Sequence, residues 1–145
     1  MRQKEKELYM RMAHEVSRMS YCQRRQVGCI VVLANGMHVI GYNGTPAGED
    51  NCCEDHDGIT KANVVHAESN ALNKIPLDED LSTATLFVTL SPCIPCAVKI
   101  VERGVGSVVY HEKKNTLVGL DHLLHNNVAV QQLTPIRIKT RRTTK

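Results

Sequence analysis

Residues 84–104, ATLFVTLSPCIPCAVKIVERG, contain the pattern that decides the fold class. The run ATLFVTL at 84–90 is rich in apolar, β-branched and aromatic residues, and it predicts a buried strand. A helix follows directly, with Pro95 suited to its first turn and Gly104 to its end. A buried strand that leads straight into a helix is typical of a sheet covered by helices, so the stretch predicts an α/β domain.

The rest of the chain extends this pattern on both sides. Residues 27–42 predict two strands joined at Asn35-Gly36, a strong hairpin-turn dipeptide. Four apolar residues recur at helical spacing within a predicted helix at 3–19: Leu8, Met12, Val16 and Met19. The other predicted elements are a helix at about 64–74, a strand at 107–112, a helix at 119–127 and a strand at 128–133. The order α-β-β-α-β-α-β-α-β predicts a three-layer α/β/α domain, with a mixed five-stranded sheet and helices on both faces.

Length and composition limit the class of protein. The 145 residues fit a single domain, here 1–134, followed by a basic tail at 135–145. This tail is either solvated or contains a short docked strand around Ile136 and Ile138. Much of the net charge of +3 comes from the tail, and the chain has no Trp and one Phe. A nucleic-acid groove lined with stacking aromatics is therefore not expected. No apolar stretch reaches the length of a membrane span, and the N-terminus lacks the apolar middle of a signal peptide. We expect a cytoplasmic protein with no membrane or nucleic-acid partner.

Two short motifs predict a metal site. Six cysteines in a chain without a secretion signal favour metal binding over disulfides. His66 lies at the predicted start of one helix, and Cys93 and Cys96 lie at the start of the next. The two cysteines are three residues apart, so a helical turn places both sulfurs on one side. One histidine and two thiolates are three zinc ligands, which leave the fourth position open for water, as in catalytic zinc sites.

Glu68 is expected to serve as the proton shuttle of this site. It lies two residues beyond His66 on the same helix, so the two side chains point in different directions and Glu68 is not expected to be a ligand. It can still reach a water on the metal, where a general acid-base group is needed. His-x-Glu alone carries little information, and Pro-Cys-x-x-Cys alone also occurs in redox pairs and structural zinc sites. Together and in this order, the two motifs form the zinc deaminase signature.

The chain resembles the cytidine/deoxycytidylate deaminase superfamily, and most closely its deoxycytidylate (dCMP) deaminases. The resemblance rests on four segments in family order: RRQVGCIVV (24–32), GYNGTPAGEDNCC (41–53), HAESNAL (66–72) and TLSPCIPCAVKI (89–100). It covers residues 5 to about 133. It implies hydrolytic deamination of dCMP to dUMP and ammonia, which supplies dUMP for dTMP synthesis. It also implies activation by dCTP and inhibition by dTTP, commonly with Mg²⁺, and a homo-oligomer that is usually a hexamer.

Several residues are candidates for binding the substrate. The resemblance implies that Asn43 hydrogen-bonds the sugar, although Asn43-Gly44 is also an ordinary turn dipeptide. Ser91 and the backbone N–H of Ala67 are candidate hydrogen-bonding groups for the substrate. Tyr110 is placed near the ligand edge of the sheet, where it either stacks on the pyrimidine or packs structurally.

An effector site is expected around the end of the second strand. The glycine-rich segment offers backbone N–H groups for phosphate oxygens, and the resemblance associates it with the allosteric nucleotide. The candidate residues are Gly41, Tyr42, Asn43, Gly44 and Arg24. Arg24 and Arg25 are each suited to the phosphate of either the substrate or the effector. We assign Arg25 to the substrate and Arg24 to the effector as a working choice, with solvated arginines as the alternative.

The segment NCCEDH at 51–56 is a candidate second metal site. Cys52 and His56 have a spacing that a single turn can close, and Cys22 is a candidate third ligand. The resemblance implies a structural zinc in some relatives at this place. Free buried thiols and a disulfide are the alternatives.

Two other functions compete with dCMP deamination. One is deamination of another substrate, such as free cytidine, adenosine in tRNA, or guanine. The other is a non-enzymatic zinc module in which a fourth protein ligand completes the site of His66, Cys93 and Cys96. A structural module of that kind has no use for Glu68, which favours the enzyme.

Overall fold

The computed structural model of the protein describes residues 1–134, so the predicted basic tail and its docked strand lie outside the described residues. The element order agrees with the sequence prediction throughout. The bounds are α1 Gln3–Ser17, β1 Gly28–Val32, β2 His38–Tyr42, α2 Ala67–Leu72, β3 Thr85–Leu90, α3 Ile94–Glu102, β4 Ser107–Glu112, α4 Val118–His125 and β5 Ala129–Gln132.

The five strands form one mixed sheet in the order β2-β1-β3-β4-β5. Strand β1 pairs antiparallel with both β2 and β3, whereas β3 with β4 and β4 with β5 pair in parallel. The two parallel connections each contain a helix, α3 or α4, as a parallel crossover requires. The predicted mixed sheet is therefore confirmed.

Alternate residues of the central strands face opposite helical layers. Helix α1 covers one face, where Met10 and Ala13 pack against Ile30, Phe87 and Val109. The other face packs against α2, α3 and α4 through the alternate strand residues, which are Cys29, Val31, Leu86, Val88, Val108 and Tyr110. Because the strands contribute apolar side chains to both faces, their sequences read as continuous apolar runs.

The buried face of helix α1 overlaps only in part with the predicted one. Met12 and Val16 are partly buried against the sheet as expected, but Leu8 is 45% and Met19 57% exposed. Ala13 and Ser17 are buried instead. Helix α1 ends at Ser17, so Met19 falls outside the helical repeat that the sequence pattern assumed.

Helix α2 is shorter than predicted because the segment before it pairs with another part of the chain. Val65 exchanges two backbone hydrogen bonds with Gly44, which keeps the chain extended up to the helix. The helix then packs on β2 at Gly41. A Cβ atom at Gly41 would lie 2.5 Å from the carbonyl oxygen of Ala67, so glycine allows the close approach of strand and helix.

Candidate active site

The predicted metal ligands come together where two helices, α2 and α3, begin. His66 is the N-cap residue of α2, Cys93 is the N-cap residue of α3, and Cys96 lies in the first turn of α3. His66 Nδ1 is 3.2 Å from Cys96 Sγ and 3.4 Å from Cys93 Sγ. Arg103 at the end of α3 donates hydrogen bonds to the carbonyl oxygens of Leu72 and Ile75, which fixes α3 relative to α2.

The electrostatics of this cluster favour a thiolate. Hydrogen bonds from the Cys96 thiol and from His66 lower the pKa of Cys93 to about 3. The hydrogen bond with Cys93 raises the pKa of His66, because the imidazolium is stabilised beside the thiolate. The hydrogen bond with Cys93, together with burial, raises the pKa of Cys96. A thiolate at a helix N-terminus is the form of cysteine that binds metal.

The donor set and its spacing fit a zinc ion. The three donor atoms lie within 4.8 Å of one another. Tetrahedral zinc with ordinary bond lengths separates a nitrogen and a sulfur ligand by about 3.6 Å, close to the 3.2 and 3.4 Å between His66 Nδ1 and the two sulfurs. Three protein ligands that converge beside a cavity leave room for a water or a substrate atom as the fourth.

Glu68 lies next to the ligand cluster and is almost completely buried, with 4% of its surface exposed. Burial raises the pKa of its carboxyl, and its charge acts in turn on His66 and Cys96. Its position as the second residue of α2 is fixed by the same helix that fixes His66. A carboxyl group with a raised pKa beside a metal site is the arrangement expected of a general acid-base residue.

A cavity of about 390 Å³ opens over His66 and Glu68. This volume is within the range of small-molecule sites. Every predicted substrate-binding residue except Tyr110 lines this cavity. Its lining residues are Arg24, Arg25, Val27, Asn43, Thr60, Val64, His66, Ala67, Glu68, Leu90, Ser91, Lys114, Asn115 and Thr116.

Asn43 and Ser91 both use their side chains to hold backbone segments at the cavity wall. Asn43 Oδ1 accepts a hydrogen bond from the N–H of Val27 at 2.9 Å, and its Nδ2 donates one to the carbonyl oxygen of Arg25 at 2.8 Å. Ser91 Oγ accepts a hydrogen bond from the N–H of Lys114 at 2.8 Å. These contacts fix the positions of Arg25 and Lys114 whatever further hydrogen bonds the two side chains make to a ligand.

Tyr110 lies away from the cavity. Its side chain is 5% exposed and packs in the core between the sheet and the helices α2–α4. Of the two roles predicted for Tyr110, its burial therefore supports structural packing and not stacking on a pyrimidine, because β4 continues to Glu112 and Tyr110 is not at the strand end.

The predicted effector residues do not all lie in one place. Tyr42, Asn43 and Gly44 line a second cavity of about 320 Å³, with Lys74 on its wall. Gly41 is buried against α2 and is not among its lining residues. Arg24 lines the first cavity instead, and its backbone N–H donates to the Glu54 carboxylate at 3.1 Å.

The predicted cluster of Cys22, Cys52 and His56 is not assembled. Cys22 forms a disulfide with Cys53, the neighbour of the predicted cysteine. Cys52 is exposed and free, and its Sγ contacts the carbonyl oxygen of Glu54. His56 is exposed and lies beside Asp57. The adjacent cysteines point to opposite sides of an extended chain, so only Cys53 faces Cys22.

Sequence reasoning missed the loop that follows β4. Lys114, Asn115 and Thr116 line the same cavity as the two arginines. The signal was present in the sequence, because the carboxyl ends of strands in an α/β sheet form the ligand-binding edge, and KKNT follows such an end.

None of the helices described within residues 1–134 combines the length and the apolar character that a membrane span requires.

Comparison with known proteins agrees with this site. The model of the cytidine and deoxycytidylate deaminase zinc-binding region matches residues 3–112. The chain therefore belongs to the cytidine and deoxycytidylate deaminase family. It is 36% identical over 118 residues to a deoxycytidylate deaminase of Mycobacterium phage D29, covering 72% of this chain and 91% of the phage protein.

A solved structure matches almost the whole described fold. The crystal structure of the dCMP deaminase from cyanophage S-TIM5, in complex with dCMP and dUMP, superposes with a TM-score of 0.86 at 41% identity. The match covers 92% of this chain and 99% of the cyanophage chain. A deoxycytidylate deaminase of Schizosaccharomyces pombe is 36% identical over 120 residues, but these are only 37% of its length. The chain thus spans about a third of that relative.

Proposed function

We propose that the protein hydrolytically deaminates dCMP to dUMP and ammonia. The observation that carries the proposal is the position of the Glu68 carboxyl, which is buried beside the three ligand atoms at the base of a cationic cavity. The similarity to the phage dCMP deaminases supports the same reaction, and so does the dCMP bound in the cyanophage structure.

The residues of the site divide the chemistry between them. A zinc ion held by His66, Cys93 and Cys96 would supply a Lewis acid that lowers the pKa of water at the site. Glu68 accepts the proton of the attacking water and passes it to N3 of the cytosine ring. It then transfers the remaining proton of the hydroxyl added at C4 to the amino group, which leaves as ammonia while the C4 carbonyl of uracil forms. Burial raises the pKa of Glu68, which brings its proton affinity closer to what both steps need at neutral pH.

The cavity wall is suited to a nucleotide. Asn43, Ser91 and the backbone at Ala67 supply polar groups around the base and sugar, and Arg25 supplies charge for the phosphate. The Asn43 amide is already hydrogen-bonded to the 25–27 backbone, so a sugar contact would also fix the position of that segment.

We also propose that dCTP activates and dTTP inhibits the enzyme, with Mg²⁺ on the triphosphate, and that the enzyme is a homohexamer acting in the cytoplasm. These proposals rest on the family resemblance. The cavity lined by Tyr42, Asn43 and Gly44 has a volume suited to a nucleotide, and Lys74 is among its lining residues. Activity is measured with and without dCTP or dTTP, and an unchanged rate would oppose the regulation. Light scattering measures the mass under the same conditions, and a mass other than that of six chains would oppose the hexamer.

A substrate panel tests the reaction. Initial rates are measured for dCMP, CMP, deoxycytidine and a cytosine-containing oligonucleotide, together with the zinc content of the same preparation. We expect dCMP to give the highest kcat/KM and one zinc per chain. A preference for an unphosphorylated nucleoside or for the oligonucleotide would refute dCMP as the substrate, and a preference for CMP would refute the choice of sugar.

A further inference from the structure

Lys114 lines the same cavity as the two predicted phosphate-binding arginines. Arg24 and Arg25 come from the segment between α1 and β1, whereas Lys114 comes from the loop between β4 and α4. Among residues 1–134, Glu68 is the only carboxylate that lines the cavity, and it is buried. Two separate loops therefore present three cations to a space with one buried acid, which predicts an anionic ligand.

The backbone of Lys114 is held in place by the site itself. Its N–H donates to Ser91 Oγ at 2.8 Å, and Ser91 is 1% exposed. The N–H of Ser91 donates in turn to the carbonyl oxygen of Glu112 at 2.8 Å. The start of this loop is thus bonded to the junction that carries Cys93, which fixes the backbone of Lys114 at the cavity.

The charge of Lys114 is available to a ligand. Within residues 1–134, the ion pairs closer than 4.0 Å do not include Lys114. Asn115 and Thr116 add polar groups on the same wall. A lysine in such a place acts as a point charge for a phosphate group.

We propose that Lys114 contacts the phosphate of a phosphorylated substrate and thereby selects nucleotides over nucleosides. The inference rests on the proposed deaminase function and deepens it, because it adds a cation from the loop after β4 to the phosphate site proposed for Arg25. A residue that only adjusted the charge of Glu68 would affect phosphorylated and unphosphorylated substrates alike.

The test compares Lys114→Met with Lys113→Met, a neighbouring lysine that is exposed and does not line the cavity. kcat and KM are measured for dCMP and for deoxycytidine. We expect Lys114→Met to lower kcat/KM for dCMP by about 10- to 100-fold, mainly through KM, as loss of a charge-assisted contact predicts. Its kcat/KM for deoxycytidine should stay unchanged. Lys113→Met should match the wild type on both substrates, and Lys114→Arg should retain most of the dCMP preference.

Binding to the zinc-loaded Glu68→Gln protein, with and without Lys114→Met, separates this inference from the proposed reaction. Calorimetry is used with dCMP and deoxycytidine, and circular dichroism checks that each variant is folded. A weakening confined to dCMP supports the inference even if the wild type proves inactive on dCMP, a result that would refute only the reaction. An equal loss for both ligands, or no loss for either, would overturn the role of Lys114.

Discussion

Replacing Gly41 with alanine should disturb the site from a distance. Gly41 lies in β2, and its Cα faces the backbone of α2. An added Cβ would lie 2.5 Å from the carbonyl oxygen of Ala67 and closer still to the N atom of Ala71. Both are backbone atoms, so no side-chain rotation can relieve the contact. Since ordinary contact begins at 3.4 Å, relieving the Ala67 contact alone requires the strand and the helix to separate by about 0.9 Å.

That displacement reaches the reacting groups because α2 carries them. His66 is the N-cap residue of α2 and Glu68 is its second residue. A misplacement of about 1 Å can cost on the order of 100-fold in rate. Strand β2 is at the sheet edge and can absorb part of the shift. We therefore expect Gly41→Ala to lower kcat/KM for dCMP by about 10- to 100-fold. Overpacking should also lower the free energy of unfolding by about 1–3 kcal/mol.

The assay measures steady-state deamination without effectors, together with urea denaturation. Gly44→Ala is the matched control, because a Cβ at Gly44 has no heavy atom within 4 Å. Wild-type activity and stability in Gly41→Ala would refute the packing argument. A Gly41→Ala protein that kept its basal rate but lost its response to dCTP would instead support the effector role that the sequence predicts for Gly41.

Three further predictions concern the two histidines, the disulfide and the metal. His14 is hydrogen-bonded to His111, and burial lowers its pKa below the ordinary value of 6.5. The native state therefore binds fewer protons than the unfolded state as the pH falls. Stability should therefore be full above about pH 6.5 and fall below it. His14→Gln removes this titrating group, so its Tm should fall less at low pH than that of the wild type. An equal fall in both proteins would contradict the prediction. Reducing the Cys22–Cys53 disulfide opens a loop with a sequence separation of 31 and should lower the free energy of unfolding by about 4 kcal/mol. Equal urea midpoints with and without reductant would oppose that estimate. Cys93→Ala should lose both zinc and activity, and retention of zinc after dialysis would argue against this ligand set.

The element order was predictable because strong local signals agreed with the tertiary contacts. The hairpin dipeptide Asn35-Gly36 lies between β1 and β2, and the apolar run at 84–90 became the buried strand β3. The three ligands His66, Cys93 and Cys96 also come together as their motifs suggest. Each motif lies at the start of one helix, so the local sequence is enough to place its ligands. The fold then brings the two helix starts together.

Local signals of this kind are absent where a contact depends on which side of an extended segment a residue faces. Cys52 and Cys53 are adjacent, and nothing local shows which of them faces Cys22. Tyr110 shares a face with Val108, so its burial depends on the helices that cover that face. Lys114 enters the cavity only because the parallel pairing of β3 and β4 aligns their carboxyl ends.

The most direct test of the account compares Glu68→Gln with the wild type for zinc content and for dUMP formation from dCMP. The variant keeps the volume of the side chain and the three ligands but removes the titrating carboxyl. We predict one zinc per chain in both proteins and a fall in kcat of about 10²- to 10⁴-fold in the variant. A Glu68→Gln protein that forms dUMP at close to the wild-type rate would contradict the account.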